Sequence, residues 1–271
     1  MDDRVGRKQN SNNKSWLELW NNCTEKVSKK HIIEIESETI QKAKKIASQY
    51  KKIAYGYSGG KDSTVLASLL SKTGIKDLKP FCVLHQCEYP KFQEWLFSNC
   101  PKGTTFLKLE KLGLEELNRK PEYLFPTGKK EKAYYIGQWR EAQTTYVKEN
   151  NIDLVFAGRR IIDGNMCGKK NPDGIYVSKN KVITSCNLIA DWSHEEILAY
   201  IKYNGLKLPP IYDFPNGWVY GTHAWTKRDR VNNSIYETFD EIMNIDKSIV
   251  IEASKTLDIA KEYLKERNYA K

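Results

Sequence analysis

No apolar run in this 271-residue sequence is long enough to cross a membrane. Its opening, Met-Asp-Asp-Arg-Val-Gly-Arg-Lys-Gln-Asn, has no apolar core of the kind a secretory signal needs. A cytoplasmic location with no membrane partner is the expectation. The six cysteines, Cys23, Cys82, Cys87, Cys100, Cys167 and Cys186, form no C-x-x-C pair. That removes the paired spacing of zinc and iron–sulfur sites, and disulfides are not expected in a cytosolic chain. Cys82 reads as core. Cys167 and Cys186 flank a segment rich in glycine and lysine. Internal repeats, low-complexity linkers and a long basic tail are also missing.

What is present is the composition of a globular chain, 40% hydrophobic and 29% charged. The length suits one large domain, or one domain with a substantial appendage. The net charge of +10 favours polyanionic partners, nucleotides and nucleic acid among them. Lysines spread along the chain also fit a solvated surface.

Residues 53–70, Ile-Ala-Tyr-Gly-Tyr-Ser-Gly-Gly-Lys-Asp-Ser-Thr-Val-Leu-Ala-Ser-Leu-Leu, organise the rest. Ile53 to Tyr57 reads as a buried strand and Thr64 to Leu70 as an apolar helix. Between them Ser58-Gly59-Gly60-Lys61-Asp62-Ser63 is a tight polar turn. Glycines let backbone approach a ligand. The N–H groups and dipole of a helix N-terminus favour an anion. Asp62 is odd for a pure phosphate cradle and suggests a helix cap, a Mg²⁺ contact, or both. The Walker A spacing fails, because Tyr55 stands where its first glycine belongs and Asp62 follows Lys61.

The hexapeptide resembles the PP-loop of the ATP pyrophosphatases, the adenine-nucleotide α-hydrolase group. That resemblance implies a loop gripping the pyrophosphate part of ATP, with Mg²⁺, and adenylation of an anionic or nucleophilic acceptor. Tyr57, Ser58, Gly59, Gly60, Lys61, Asp62, Ser63 and Thr64 are the candidate nucleotide contacts, with Asp62 also the candidate metal ligand. Lys79 to His85 reads as a second strand, and His85 at its carboxyl end joins the nucleotide candidates, with Gln86, Cys87 and Glu88 beside it. Where the family carries Asp-Thr, this sequence has His85-Gln86.

Asp153 to Gly158 reads as a fourth strand running into Arg159-Arg160. Arginine forks suit phosphate, sulfate or carboxylate. Gly158 is a further nucleotide candidate. Arg159 and Arg160, with Lys61 and Asp62, are the candidate catalytic set. Asn187 to Asp213, with Asp191-Trp192 and Leu208-Pro209, resembles the phosphoadenosine-phosphosulfate reductases and the small subunits of sulfate adenylyltransferase. That branch adds a partner subunit to the expectations. Ser193 and Glu196 read as a capping box, which favours a scaffolding role for Asp191 and Trp192.

The alternation of strands and helices predicts an α/β fold, a Rossmann-like parallel sheet wound by helices on both faces. The expected organisation is a disordered 1–13, a nucleotide-binding domain over 14–215, and a helical extension over 216–271. Helices are expected over 15–29, 34–50, 133–150, 235–245 and 248–269. The segment 214–230 interleaves aromatic and basic residues and suits either base stacking or a packed cap.

The leading expectation is therefore an ATP-using adenylyl transferase. Base modification on tRNA or DNA is a second, phosphoadenosine-phosphosulfate reduction a third, and a non-catalytic nucleotide-binding subunit a fourth. The family's reductases carry a C-terminal cysteine motif, and no cysteine follows Cys186 here.

Overall fold

The structure is a computed structural model that describes residues 12–164, 174–178, 182–228 and 234–269. The expected disorder over 1–13 therefore falls mostly outside the described residues. Asn12 itself caps a helix, its side chain accepting from Ser15 N.

In chain order the elements begin with α1 (Asn13–Lys26), α2 (Lys29–Ala47), β1 (Ile53–Gly56), α3 (Lys61–Ser71) and β2 (Lys79–His85). Next come α4 (Pro90–Asn99), β3 (Thr105–Leu109), α5 (Leu114–Arg119), α6 (Lys129–Glu149) and β4 (Leu154–Phe156). Then follow β5 (Ile175–Val177), β6 (Thr184–Cys186), α7 (His194–Tyr203) and α8 (Gly217–Tyr220). The chain closes with α9 (Ile235–Ile245), α10 (Lys247–Ala253) and α11 (Asp258–Glu266).

The six strands form one sheet in the order β3-β2-β1-β4-β6-β5. β1 pairs in parallel with β2 and β4, and β4 with β6. β5 is the exception, pairing antiparallel with β6 at the edge. The chain leaves β1 toward β2 and β3, then returns to place β4 on the other side of β1. That reversal is a topological switch point, where open α/β sheets bind ligands beyond the carboxyl ends of strands.

Two compact units emerge. The first comprises 1–82, 96–106 and 144–209. Its centre is β1 and β4, whose residues Ala54, Leu154 and Phe156 are fully buried. Such all-apolar strands are what a sheet covered on both faces requires. Asp153 Oδ2 accepts from Lys51 N and Lys52 N at 3.1 and 2.8 Å, which aligns the starts of β4 and β1. α1 buries Trp16, Leu19 and Cys23, spaced on one helical face. It packs on α7, which carries the expected capping box in full: Ser193 Oγ accepts from Glu196 N, and Glu196 Oε2 from Ser193 N.

The second unit comprises 83–95, 107–143 and 210–271. Arg228 is its fully buried anchor. It donates to the Tyr89 hydroxyl at 3.1 Å, pairs with Glu241 at 2.9 Å, meets the Pro215 carbonyl, and lies 4.3 Å over the Tyr220 ring. Trp218, Tyr220 and Trp225 are buried with it. Much of the aromatic and basic mixture of 214–228 is thus packed interior. The single helix expected over 248–269 is two helices, α10 and α11. Its apolar stripe, Ile249, Ala253, Leu257, Ala260 and Leu264, is buried throughout, but the backbone turns at 254–257.

Candidate functional site

The first unit builds one site at the carboxyl end of β1. Gly60 is the N-cap of α3 and supplies no side-chain cap, so the first helical amides face outward from the loop. Gly59 has φ +71°, the left-handed conformation that glycine adopts without strain. Ser63 Oγ ties the loop together. It accepts from Ser58 N at 3.1 Å, donates to Gly60 O at 2.9 Å, and lies 3.2 Å from Ser58 Oγ. Thr64 Oγ1 reaches Gly59 O at 3.4 Å, and the Tyr57 side chain is buried. Burial pushes the Tyr57 phenol up to about 12, so it stays a neutral donor at physiological pH.

Gly158 follows β4 and has a packing reason to be glycine. A Cβ there would stand 3.1 Å from Asp62 O and 3.3 Å from Ser63 N. The β4 end can press against the first turn of α3 only without a side chain. Thus Tyr57 to Thr64 and Gly158 do come together, within one unit.

The charged residues form a buried cluster beside the loop. Arg160 is fully buried. Its Nε lies 2.9 Å from Asp62 Oδ1, close enough for an ion pair but off the line of a hydrogen bond. Its other nitrogens reach Asp163 Oδ1 at 3.2 Å, Trp192 O at 3.3 Å and His194 Nδ1 at 2.8 Å. Arg160 thereby ties the loop to the segment after β4 and to α7 from inside. Arg159 is exposed and donates to the Tyr176 hydroxyl at 2.8 Å.

Asp62 belongs to the same cluster. Its Oδ2 accepts from Lys61 Nζ at 2.7 Å and its Oδ1 faces Arg160. Burial alone would raise its pKa, but Lys61 and Arg160 outweigh it and hold the carboxyl below the ordinary carboxylate range. Lys61 is pulled the other way: burial lowers it, and Asp62 only partly restores it. Both oxygens of Asp62 are engaged with cations, and the described residues hold no cluster of three or more metal-ligating side chains. Mg²⁺ is commonly held by one or two carboxylates together with substrate phosphates, and in this structure the Asp62 carboxylate is committed to Lys61 and Arg160. Asp62 is an anchor for Lys61 and Arg160.

His85 lies in the second unit with its own neighbours. It is buried, its Nδ1 accepts from Cys87 N at 2.9 Å, and it stacks on Tyr135 at 5.8 Å. Burial and then Lys227 push it down to about 3, so it is a neutral imidazole. Next to it, burial pushes Glu88 up to about 8. Its Oε1 accepts from His85 N at 3.2 Å, and its Oε2 is buried without a hydrogen-bond partner among the described residues. Glu88, Gln86, Cys87, Tyr134 and Trp225 are among the residues lining a cavity of about 1010 Å³ inside this unit. The Cys87 thiol is pushed up to about 12 by burial and is no thiolate. Cys82 and Cys186 are buried, and Cys167 lies outside the described residues.

Three contributors to the loop site escaped the sequence reading: Trp16, Asp163 and His194. Asp163 carried a signal, standing three residues after Arg160 at ion-pair spacing. Trp16 and His194 carried none, because only the docking of α1 on α7 brings them to the loop.

An open α/β sheet with an uncapped helix N-terminus and a glycine turn at its switch point defines a phosphate-binding class of site. Sequence comparison narrows it. Residues 52–215 match the phosphoadenosine phosphosulfate reductase domain. The chain belongs to this family, and with it to the PP-loop ATP pyrophosphatase superfamily. Membership supports nucleotide binding as the coarse function.

A search of curated proteins returned no match. Among solved structures, a phosphoadenylyl-sulfate reductase from Candida auris, in complex with phosphate, is 16% identical with TM-score 0.51. The alignment covers 69% of this chain and 92% of that one, and shows the shared fold. Two further matches have lower TM-scores. The U34-tRNA thiolase NcsA from Methanococcus maripaludis gives 0.46 at 16% identity, over 90% of this chain and 82% of that one. An NH3-dependent NAD synthetase from Campylobacter jejuni gives 0.47 at 15%, over 86% and 96%. No helix among the described residues is long and apolar enough to cross a membrane.

Proposed function

We infer that this chain binds the phosphates of an adenine nucleotide at Ser58 to Thr64 and, with ATP, transfers the adenylyl group to an acceptor. The observation that carries the reading is the uncapped N-terminus of α3, set beyond β1 with Gly59 at φ +71° and Lys61 in the first turn. Helix amides and dipole favour a polyphosphate at that position. In the reaction an acceptor oxygen attacks the α-phosphorus and forms a new O–P bond. The bridging α–β P–O bond breaks, pyrophosphate departs with the electron pair, and any acceptor proton passes to solvent. The chain's own residues supply position and charge. The amides of Lys61, Asp62 and Ser63 receive phosphate oxygens, and the Lys61 ammonium offsets charge growing on the departing pyrophosphate. Asp62 and Arg160 fix that turn. No step is routed through Asp62 as a metal ligand.

The family description favours a second reading, in which the nucleotide is an adenylyl sulfate. Pyrophosphate release separates the two. Under the first reading ATP with a candidate acceptor liberates pyrophosphate, and Lys61→Ala loses it. If the nucleotide sulfate binds and ATP does not compete for its site, the first reading fails.

A further inference from the structure

α1 lies outside the family segment, which begins at residue 52. It nevertheless reaches the phosphate loop. The Trp16 ring centroid is 5.3 Å from Lys61 Nζ. The same ring meets His194 edge-on, with centroids 4.7 Å apart and planes at 78°. His194 Nδ1 lies 2.8 Å from Arg160, Arg160 Nε lies 2.9 Å from Asp62, and Asp62 holds Lys61 Nζ at 2.7 Å. Five side chains thus close a circuit: Trp16, Lys61, Asp62, Arg160 and His194. One member comes from α1, two from the loop helix, one from the segment after β4 and one from α7.

We propose that α1 is part of the nucleotide site and that Trp16 is the positioning residue that fixes the Lys61 ammonium beside the loop. This rests on the reading of Ser58 to Thr64 as a phosphate site. A free lysine side chain surrenders substantial rotamer entropy on binding. Here that loss is taken in the folded state. The aromatic face attracts the ammonium, and it does so more strongly where water is excluded. Only 12% of the Lys61 side chain remains exposed. The phosphate then meets a cation already in place.

The docking of α1 does not depend on Trp16 alone. Leu19 and Cys23 bury on the same face. The Tyr203 hydroxyl lies 3.0 Å from Thr24 O and 2.9 Å from Val27 O, and Lys202 Nζ donates to Asn21 O at 3.1 Å. A change at Trp16 therefore leaves the helix anchored.

The test uses the full chain with Trp16→Leu, which keeps an apolar side chain, and Trp16→Phe, which keeps an aromatic face. Three readouts bear on it: ATP affinity by calorimetry, the melting temperature, and acetylation of Lys61 by acetic anhydride followed by peptide mass spectrometry. Trp16→Leu is expected to weaken ATP roughly tenfold and to speed Lys61 acetylation by a similar factor, while Trp16→Phe stays within about threefold of wild type. In a Lys61→Ala background, Trp16→Leu is expected to change ATP affinity no further. Equal behaviour of the Leu and Phe variants, or a Leu effect that persists without Lys61, would overturn the proposal. If the wild type binds neither ATP nor phosphoadenosine phosphosulfate, the phosphate-site reading fails by itself. The acetylation rates then still decide whether Trp16 restrains Lys61.

Discussion

Arg160→Met is the sharpest perturbation of the site, because it removes a fully buried cation from the partners that surround it. The guanidinium faces Asp62 at 2.9 Å, Asp163 at 3.2 Å, Trp192 O at 3.3 Å and His194 at 2.8 Å. Methionine fills much of the volume and satisfies none of them. Breaking a buried ion pair from one side costs about 3–5 kcal/mol, since the surviving carboxylate stays desolvated. For a chain of this size each kcal/mol lowers the melting temperature by about 2–4 °C, so a fall of roughly 10 °C is expected. Urea denaturation followed by circular dichroism gives the free energy. Asp62→Asn in the same background removes the carboxylate that lost one of its two cations, and the double variant should recover about 1–3 kcal/mol relative to additivity. An Arg160→Met cost under about 1 kcal/mol, or additivity within about 0.5 kcal/mol, would refute the view that this arginine ties the loop from inside.

Other consequences follow from single contacts. Gly158→Ala places a methyl group 3.1 Å from Asp62 O and 3.3 Å from Ser63 N, so the loop must shift. Nucleotide affinity should fall roughly tenfold with little change in melting temperature, a 1.4 kcal/mol effect read by calorimetry. Glu88 is raised from 4.5 to about 8, so its native state holds a proton more tightly than its unfolded state. Its contribution is fully present below pH 4.5 and is lost as pH rises toward 8, by at most about 5 kcal/mol. Glu88→Gln should flatten that loss in melting curves taken at pH 5 and pH 9. An unchanged slope would show that the carboxyl is hydrated. Ser193→Ala removes half of the capping box on α7 and should cost about 1 kcal/mol in urea titration, without altering nucleotide affinity.

Local pattern carried much of the architecture. Lys79 to His85 forms β2 over the expected span, because an apolar run bounded by a lysine and a polar turn has few other uses. Ile235 to Ile245 likewise forms α9. The loop helix begins at Lys61 rather than Thr64, since its first turn is polar and shows no apolar periodicity. The stripe through 249–264 repeats at helical spacing even though the chain breaks between α10 and α11. Periodicity reports which residues face inward, not whether the backbone runs on.

The site was legible where it is backbone. Ser-Gly-Gly-Lys-Asp-Ser names the turn, and Gly158 proves to be a packing glycine against it. Charged side chains were harder. An arginine pair at a strand end looks the same in sequence whether it points to ligand or inward, and Arg160 points inward. His85 stands at the end of β2, yet it belongs with Cys87, Glu88 and Tyr135. Trp16 and His194 meet only because α1 docks on α7, a tertiary event with no local signature.

The most direct measurement is calorimetric titration of the wild type and Lys61→Ala with ATP and, separately, with phosphoadenosine phosphosulfate. A phosphate-binding loop at Ser58 to Thr64 predicts saturable binding of at least one nucleotide, weakened tenfold or more by Lys61→Ala. No saturable binding of either, or an affinity indifferent to Lys61, would contradict the account.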